Sequence, residues 1–216
     1  MRVAVDLRVL ELLSARLCHE LVSPVGAINN GIELLGEEDP EFVRDAVELI
    51  GQSGRRAGKR LQFYRFAYGT AAGASATAGG LDPAELVEGL FEGGKVTCDW
   101  TEEARTLPPD WQKLSCNVVL LASEALPRGG TVTVRPLRAG QLGVEVVAVG
   151  ETLNVTPELR AALQPNAPVD DLTSRTVQAY FTARLAEQIG ARIAVASPAA
   201  GQLSFTTTAG TAVATP

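Results

Sequence analysis

Of the 216 residues in the chain, one is a histidine, His19. A neutral imidazole, with an ordinary pKa of about 6.5, is a nucleophile at neutral pH and can carry a transferred group on a ring nitrogen. Chemistry that needs two histidines, and His-rich metal sites, are excluded. Cys18, Cys98 and Cys116 are odd in number and lack metal-ligand spacing, so they read as free thiols of a reducing compartment, with no metal of their own. The neighbours of His19 suit a nucleophile. Glu20 follows directly and is expected to orient the ring and stabilise positive charge on it; an ordinary solvated glutamate is the other reading. Arg16, one turn earlier, can pair with an anionic group. Ser23, Gly26 and Asn30 share the His19 face at helical spacing, and the small ones keep that surface low enough for another protein to approach. Pro24, five residues after His19, removes a helical hydrogen bond at a cost of about 3 kcal/mol. Such a proline calls for a kink or for a use of the freed carbonyl. The plain alternative for His19 is a solvated surface histidine.

The element that must hold His19 is an amphipathic helix. At about 100° per residue, Leu7, Leu10, Leu13, Leu17, Leu21, Pro24, Val25, Ile28, Ile32 and Leu35 form one stripe, and His19 lies opposite its centre. A break at Gly36-Glu37-Glu38-Asp39-Pro40 leads into a second helix, with Val43, Ala46, Val47, Ile50, Ala57, Leu61, Tyr64 and Tyr68 on one face. Two helices cannot bury both stripes, so the hairpin either packs on something else or doubles into a four-helix bundle, and a homodimer is expected. The helix-two run Arg55, Arg56, Lys59 and Arg60 is either a solvated face or a complement to an acidic partner surface.

The hairpin spans residues 1–69. Residues 70–80, small and Gly/Ala-rich, read as a linker. Residues 81–216 alternate helix and strand signals. A capped helix starts at Asp82-Pro83-Ala84-Glu85, and a short strand covers 95–100. A helix runs over 111–126, and a β-hairpin pairs 131–137 with 141–149. Helices follow at 156–163 and 172–189, and a last hairpin joins 192–196 to 203–208. The fold class is α+β, a sandwich with an antiparallel sheet behind a helical hairpin. A net charge of -6 argues against a nucleic-acid partner. No apolar run is long enough for a membrane helix, and charges among the first 17 residues break any signal-peptide core, so a cytoplasmic protein is expected.

His19-Glu20-Leu21-Val22-Ser23-Pro24-Val25-Gly26-Ala27-Ile28 resembles the H-box of histidine kinases, H-E-L-x-x-P-L-x-A-I. The resemblance continues into the second part. Asn117 matches the first asparagine of the kinase N-box, but Leu121 stands where the magnesium-binding asparagine belongs. Ala148-Val149-Gly150-Glu151-Thr152 replaces D-x-G-x-G, and Ser174-Arg175-Thr176-Val177-Gln178 replaces the glycine-rich phosphate loop. Gly190-Ala191-Arg192-Ile193 realigns with G-G-R-I. Phosphates need close backbone approach, magnesium needs a hard oxygen ligand, and adenine needs a carboxylate partner, so these changes should abolish ATP binding.

A kinase-like bundle with its histidine kept and its nucleotide site dismantled resembles the dimeric, ChpT-type histidine phosphotransferases of alphaproteobacterial phosphorelays. The stretches Cys18–Gly31 and Leu120–Gly130 carry that likeness, which covers nearly the whole chain. It implies a dimeric four-helix bundle followed by a histidine-kinase ATPase-like α/β sandwich with a degenerate nucleotide site. It implies a cytoplasmic phosphotransferase that takes phosphoryl onto His19 from the receiver domain of a hybrid histidine kinase. The phosphoryl then passes to response regulators of the CtrA and CpdR kinds. No cofactor is bound, and the receiver supplies the Mg²⁺. Arg16, Ser23, Gly26, Asn30, Arg56 and Lys59 would meet the partner. An adaptor that binds receivers without chemistry, and a kinase with divergent boxes, stay open on the residues alone.

Overall fold

A computed structural model describes residues 6–37, 39–69, 82–138 and 141–210. The expected linker, 70–80, lies outside them. Helices α1 (Leu7–Leu34) and α2 (Pro40–Tyr68) form an antiparallel hairpin. There follow α3 (Pro83–Phe91), β1 (Val96–Trp100), α4 (Glu102–Arg105), α5 (Pro109–Glu124), β2 (Gly130–Pro136) and β3 (Gly143–Val149). The chain continues through α6 (Pro157–Ala162), a 3₁₀ turn (Val169–Asp171), α7 (Val177–Gln188), β4 (Ala191–Ala196) and β5 (Gln202–Ala209). Four of these helices begin with one device. Asp6, Asp39, Asp82 and Thr156 each accept a backbone N–H of the first turn, and in α2, α3 and α6 a proline follows the cap.

The five strands lie in the order β1-β2-β3-β5-β4. β1 pairs with β2 in parallel, which corrects the expectation of an antiparallel sheet; the other pairs are antiparallel. The cause is connectivity. The stretch from β1 to β2 is a helical crossover through α4 and α5, and a crossover of that length returns a strand in the same direction. At Gly129 (φ 96°) a Cβ would collide with the Lys95 carbonyl, so the turn into β2 needs glycine. β3 buries Val144, Val146 and Ala148 at every second position, against α5. α7 starts at Val177, later than the expected 172. Thr173 and Thr176 hold a turn there instead, the Thr176 hydroxyl accepting the Thr173 N–H at 2.9 Å.

The α1–α2 seam is close because Gly31 faces Ala46 and Ile50; a Cβ on Gly31 would strike the Ile50 side chain. The stripe expected to bury as one face divides. Pro24 is buried, and Leu13, Leu17, Leu21 and Ile28 are partly buried, whereas Leu10 (56% exposed) and Ile32 (54%) lie open with Leu7 and Val25. On α2, Val47 and Leu61 are open likewise. α2 also has a second buried face: Phe63, Phe66 and Ala67 join Tyr64 and Val9 in a hydrophobic core that runs without a break into the sandwich.

Candidate functional site

His19 sits near the middle of α1, on the exposed side, with Ser23 and Asn30 exposed on the same face. Gly26 lies between them, and a Cβ there would meet nothing within 4 Å. His19 is nine residues from both Leu10 and Ile28, which places it about 180° around the helix from them. The imidazole therefore points away from the open apolar flank, and both surfaces are free at once.

Glu20 is half-buried in the seam. The structure corrects its expected contact with the ring: its carboxylate accepts from Arg60 Nη1 at 2.7 Å. The same nitrogen donates to the Glu20 carbonyl at 2.9 Å. That carbonyl is the one whose helical donor would be residue 24, and Pro24 has no N–H. The helix stays unbroken across Pro24, and Arg60 gives the freed carbonyl a donor. Sequence reasoning treats Arg60 as one of a basic run. The signal that finds it is the freed carbonyl, which needs a donor on the facing helix.

Arg16, expected to meet a partner, is corrected too. Its guanidinium turns inward to the Glu124 carboxylate at the end of α5, with 12% of the side chain exposed. Burial pushes the Glu124 carboxyl above its usual range, with the Arg16 charge pulling against it. Two members of the basic run, Lys59 and Arg60, are paired as well. Lys59 pairs with Glu92 at 2.6 Å, just past the C-terminus of α3, and Arg56 is exposed with its guanidinium near Gly93. The helix dipole of α3 favours cations at that end.

The residues aligned above with kinase nucleotide boxes are engaged in core packing and internal hydrogen bonds. Leu121 and Ala148 are fully buried in the core. Asn117 Nδ2 donates to the Ala67 carbonyl at the end of α2 and to the Lys113 carbonyl, both at 2.9 Å. Its Oδ1 accepts from Gln178 Nε2 at 3.0 Å, and Gln178 Oε1 accepts from the Tyr68 hydroxyl at 2.6 Å. Burial raises the Tyr68 phenol to about 12, with Arg16 acting in the opposite direction, so it donates as a neutral hydroxyl. Lys113 donates to the Gly69 carbonyl. Asn117, Gln178 and Lys113 thus clasp the last turn of α2.

Two clefts flank these regions. One, of about 940 Å³, lies between α2, α3 and β1; the other, of about 350 Å³, lies around Tyr68, Lys113 and Phe181. Neither is lined by His19, Asn117, Leu121 or Ala148. Among the described residues, no group of three or more His, Cys, Asp or Glu side chains converges as a metal site. No described helix is long and apolar enough to cross a membrane.

An exposed lone imidazole on a helix, outside both of these clefts, suits transfer to and from a protein surface. The comparisons with known proteins point the same way. The profile of the histidine phosphotransferase C-terminal domain matches residues 81–201. The protein phosphotransferase ChpT of Brucella abortus (strain 2308) is 38% identical over 188 residues, covering 85% of this chain and 88% of that protein. A solved bacterial phosphotransferase structure superposes with a TM-score of 0.72 at 32% identity, covering 95% of this chain and 98% of the other. The chain belongs to the histidine phosphotransferase family, and phosphoryl transfer in a phosphorelay is its activity.

Proposed function

We propose that His19 is the phosphoryl acceptor and that the chain relays phosphoryl between receiver domains as a homodimer, without binding ATP. In the first step an imidazole nitrogen attacks the phosphorus of a receiver aspartyl phosphate. The P–N bond forms as the P–O bond to the aspartate breaks. In the second step a carboxylate of another receiver attacks the phosphohistidine and the P–N bond breaks. Such transfer needs positioning and charge neutralisation more than covalent help from the carrier. The donor would be a hybrid histidine kinase receiver and the acceptors response regulators, of the CtrA and CpdR kinds by resemblance. Mg²⁺ would come with the acidic receiver pocket. Ser23, Gly26 and Asn30 remain the candidate contacts on the His19 face, and the cytoplasm is the compartment where these partners meet.

The observation that carries this reading is the open placement of His19, the single imidazole, while Leu121, Ala148 and Asn117 are committed to core and clasp. The hairpin's open apolar flank, opposite His19, supports pairing of two copies into a four-helix bundle that leaves both histidines accessible.

The test is incubation with a labelled phosphoreceiver. Wild type should take up acid-labile, base-stable phosphate, and His19→Ala should take up none. The variant should stay folded and be stabilised by a few tenths of a kcal/mol, since alanine is the better helix former and the ring leaves no cavity. Transfer persisting in folded His19→Ala would end the proposal.

A further inference from the structure

We infer that Arg60 is a positioning residue for His19: it holds the helical turn that carries the imidazole by supplying the donor that Pro24 withholds from the Glu20 carbonyl. The inference rests on the reading of His19 as acceptor. Glu20 is its immediate chain neighbour, so whatever fixes the Glu20 backbone fixes the plane from which the imidazole projects. An α-helical carbonyl is normally held by the N–H four residues on. Here that residue is proline, and it is buried, so water has poor access to take the place of the missing donor. A buried, unpaired carbonyl is costly and lets a helix hinge open at that point. Arg60 Nη1 closes the gap at 2.9 Å and holds the Glu20 carboxylate at 2.7 Å with the same atom. One guanidinium nitrogen thereby ties the backbone and the side chain of one residue to the opposite helix.

An arginine suits this place because its planar fork orders its donors, whereas a lysine offers a compact point charge on a flexible stem. The alternative role for Arg60, as one of several cations that attract an acidic partner, does not account for a donor aimed at a backbone carbonyl.

The experiment measures receiver-to-protein phosphotransfer with receiver concentration varied, so that the saturating rate and the half-saturation concentration separate. Arg60→Ala should lower the saturating rate about tenfold with less than about a twofold change in half-saturation, as expected for misplacement of a reacting group. Arg60→Gln keeps a donor for the carbonyl and should recover most of the rate. Pro24→Ala restores the backbone N–H, and in that background Arg60→Ala should cost less than about twofold. Equal losses from Arg60→Ala with and without the Pro24→Ala change would overturn the inference, as would an effect confined to half-saturation, which would make Arg60 a partner contact. Circular dichroism checks each fold; if Arg60→Ala unfolds, Arg60→Met, which keeps the packed stem without a donor, carries the same comparison across the two backgrounds. Failure of the acceptor reading shows separately, as transfer by His19→Ala.

Discussion

Around His19 the residues of the kinase-like motif stay at the helix surface or in the hairpin seam, whereas around Asn117 the corresponding residues have been absorbed into the interior. At the first place Pro24 is still matched by a donor from Arg60, and the imidazole is open. At the second, Leu121 and Ala148 fill the core, and Asn117 with Gln178 braces α2. The difference teaches that the hairpin leaves polar groups open while the sandwich satisfies its own: its sheet is packed by apolar alternation, and Asn117 and Gln178 are hydrogen-bonded to protein groups.

The sharpest way to break this comparison is to put a nucleotide ligand back. Leu121→Asn places an amide in a fully buried apolar site and should destabilise by about 3 kcal/mol through lost packing and an unmet polar group. Thermal unfolding reads that loss. Calorimetric titration of the variant, and of wild type, with Mg-ATP should show no binding. Micromolar binding to wild type would remove the contrast between the two regions.

A second change tests whether the hairpin's two flanks have separate duties. Leu10→Asp with Ile32→Asp adds charge to the open flank and should turn a wild-type dimer into a folded monomer by light scattering. Leu17→Asp instead enters the packed side of α1 and should unfold the hairpin. A wild-type monomer at micromolar concentration would refute the pairing.

Glu20→Gln is a milder probe. It keeps the carbonyl bond to Arg60 and removes the charged arm, on a pair whose side chains are 27% and 30% exposed. Transfer should slow a few-fold, with a stability loss of at most about 1 kcal/mol. A rate equal to wild type would give Glu20 no part beyond its backbone.

The smallest effect lies on the sheet's outer face. Burial pushes the Glu145 carboxyl up, but hydrogen bonds from Ser204 and Arg135 more than offset it, so its pKa is lowered. A lowered acid contributes stability above its unfolded value of about 4.5, lost as pH falls through the folded value. The stability gap between wild type and Glu145→Gln should therefore hold constant near neutrality and shrink below about pH 4.5. A gap independent of pH would assign the contribution to packing.

Much of this is legible in the residues. The caps at Asp39, Asp82 and Thr156, each followed by proline, place their helices almost to the residue. The wheel of α1 puts His19 outside, as the structure does. What stays hidden depends on partners distant in sequence. Arg16 carries a surface pattern, yet its partner, Glu124, lies 108 residues on. Arg60 looks like one cation of four until the antiparallel register brings it to Glu20. The parallel β1–β2 pair follows from the connection, and the helix expected over 111–126 between the two strands already carries that signal.

The clasp on α2 also bears on synthesis. The carbonyls of Ala67 and Gly69 wait for Asn117 and Lys113, and the Tyr68 hydroxyl waits for Gln178, 110 residues later. At about 5–20 residues per second, a hairpin leaving the ribosome spends roughly 5–20 s with its last turn frayed before that acceptor has been made. Its open apolar flank is complete throughout that interval. Two hairpins on neighbouring ribosomes of one message are therefore expected to meet before either sandwich exists, with assembly preceding completion of the chain. Site-specific photocrosslinking from position 32 in chains stalled before residue 113 should capture such nascent pairs, and their absence would place assembly after release.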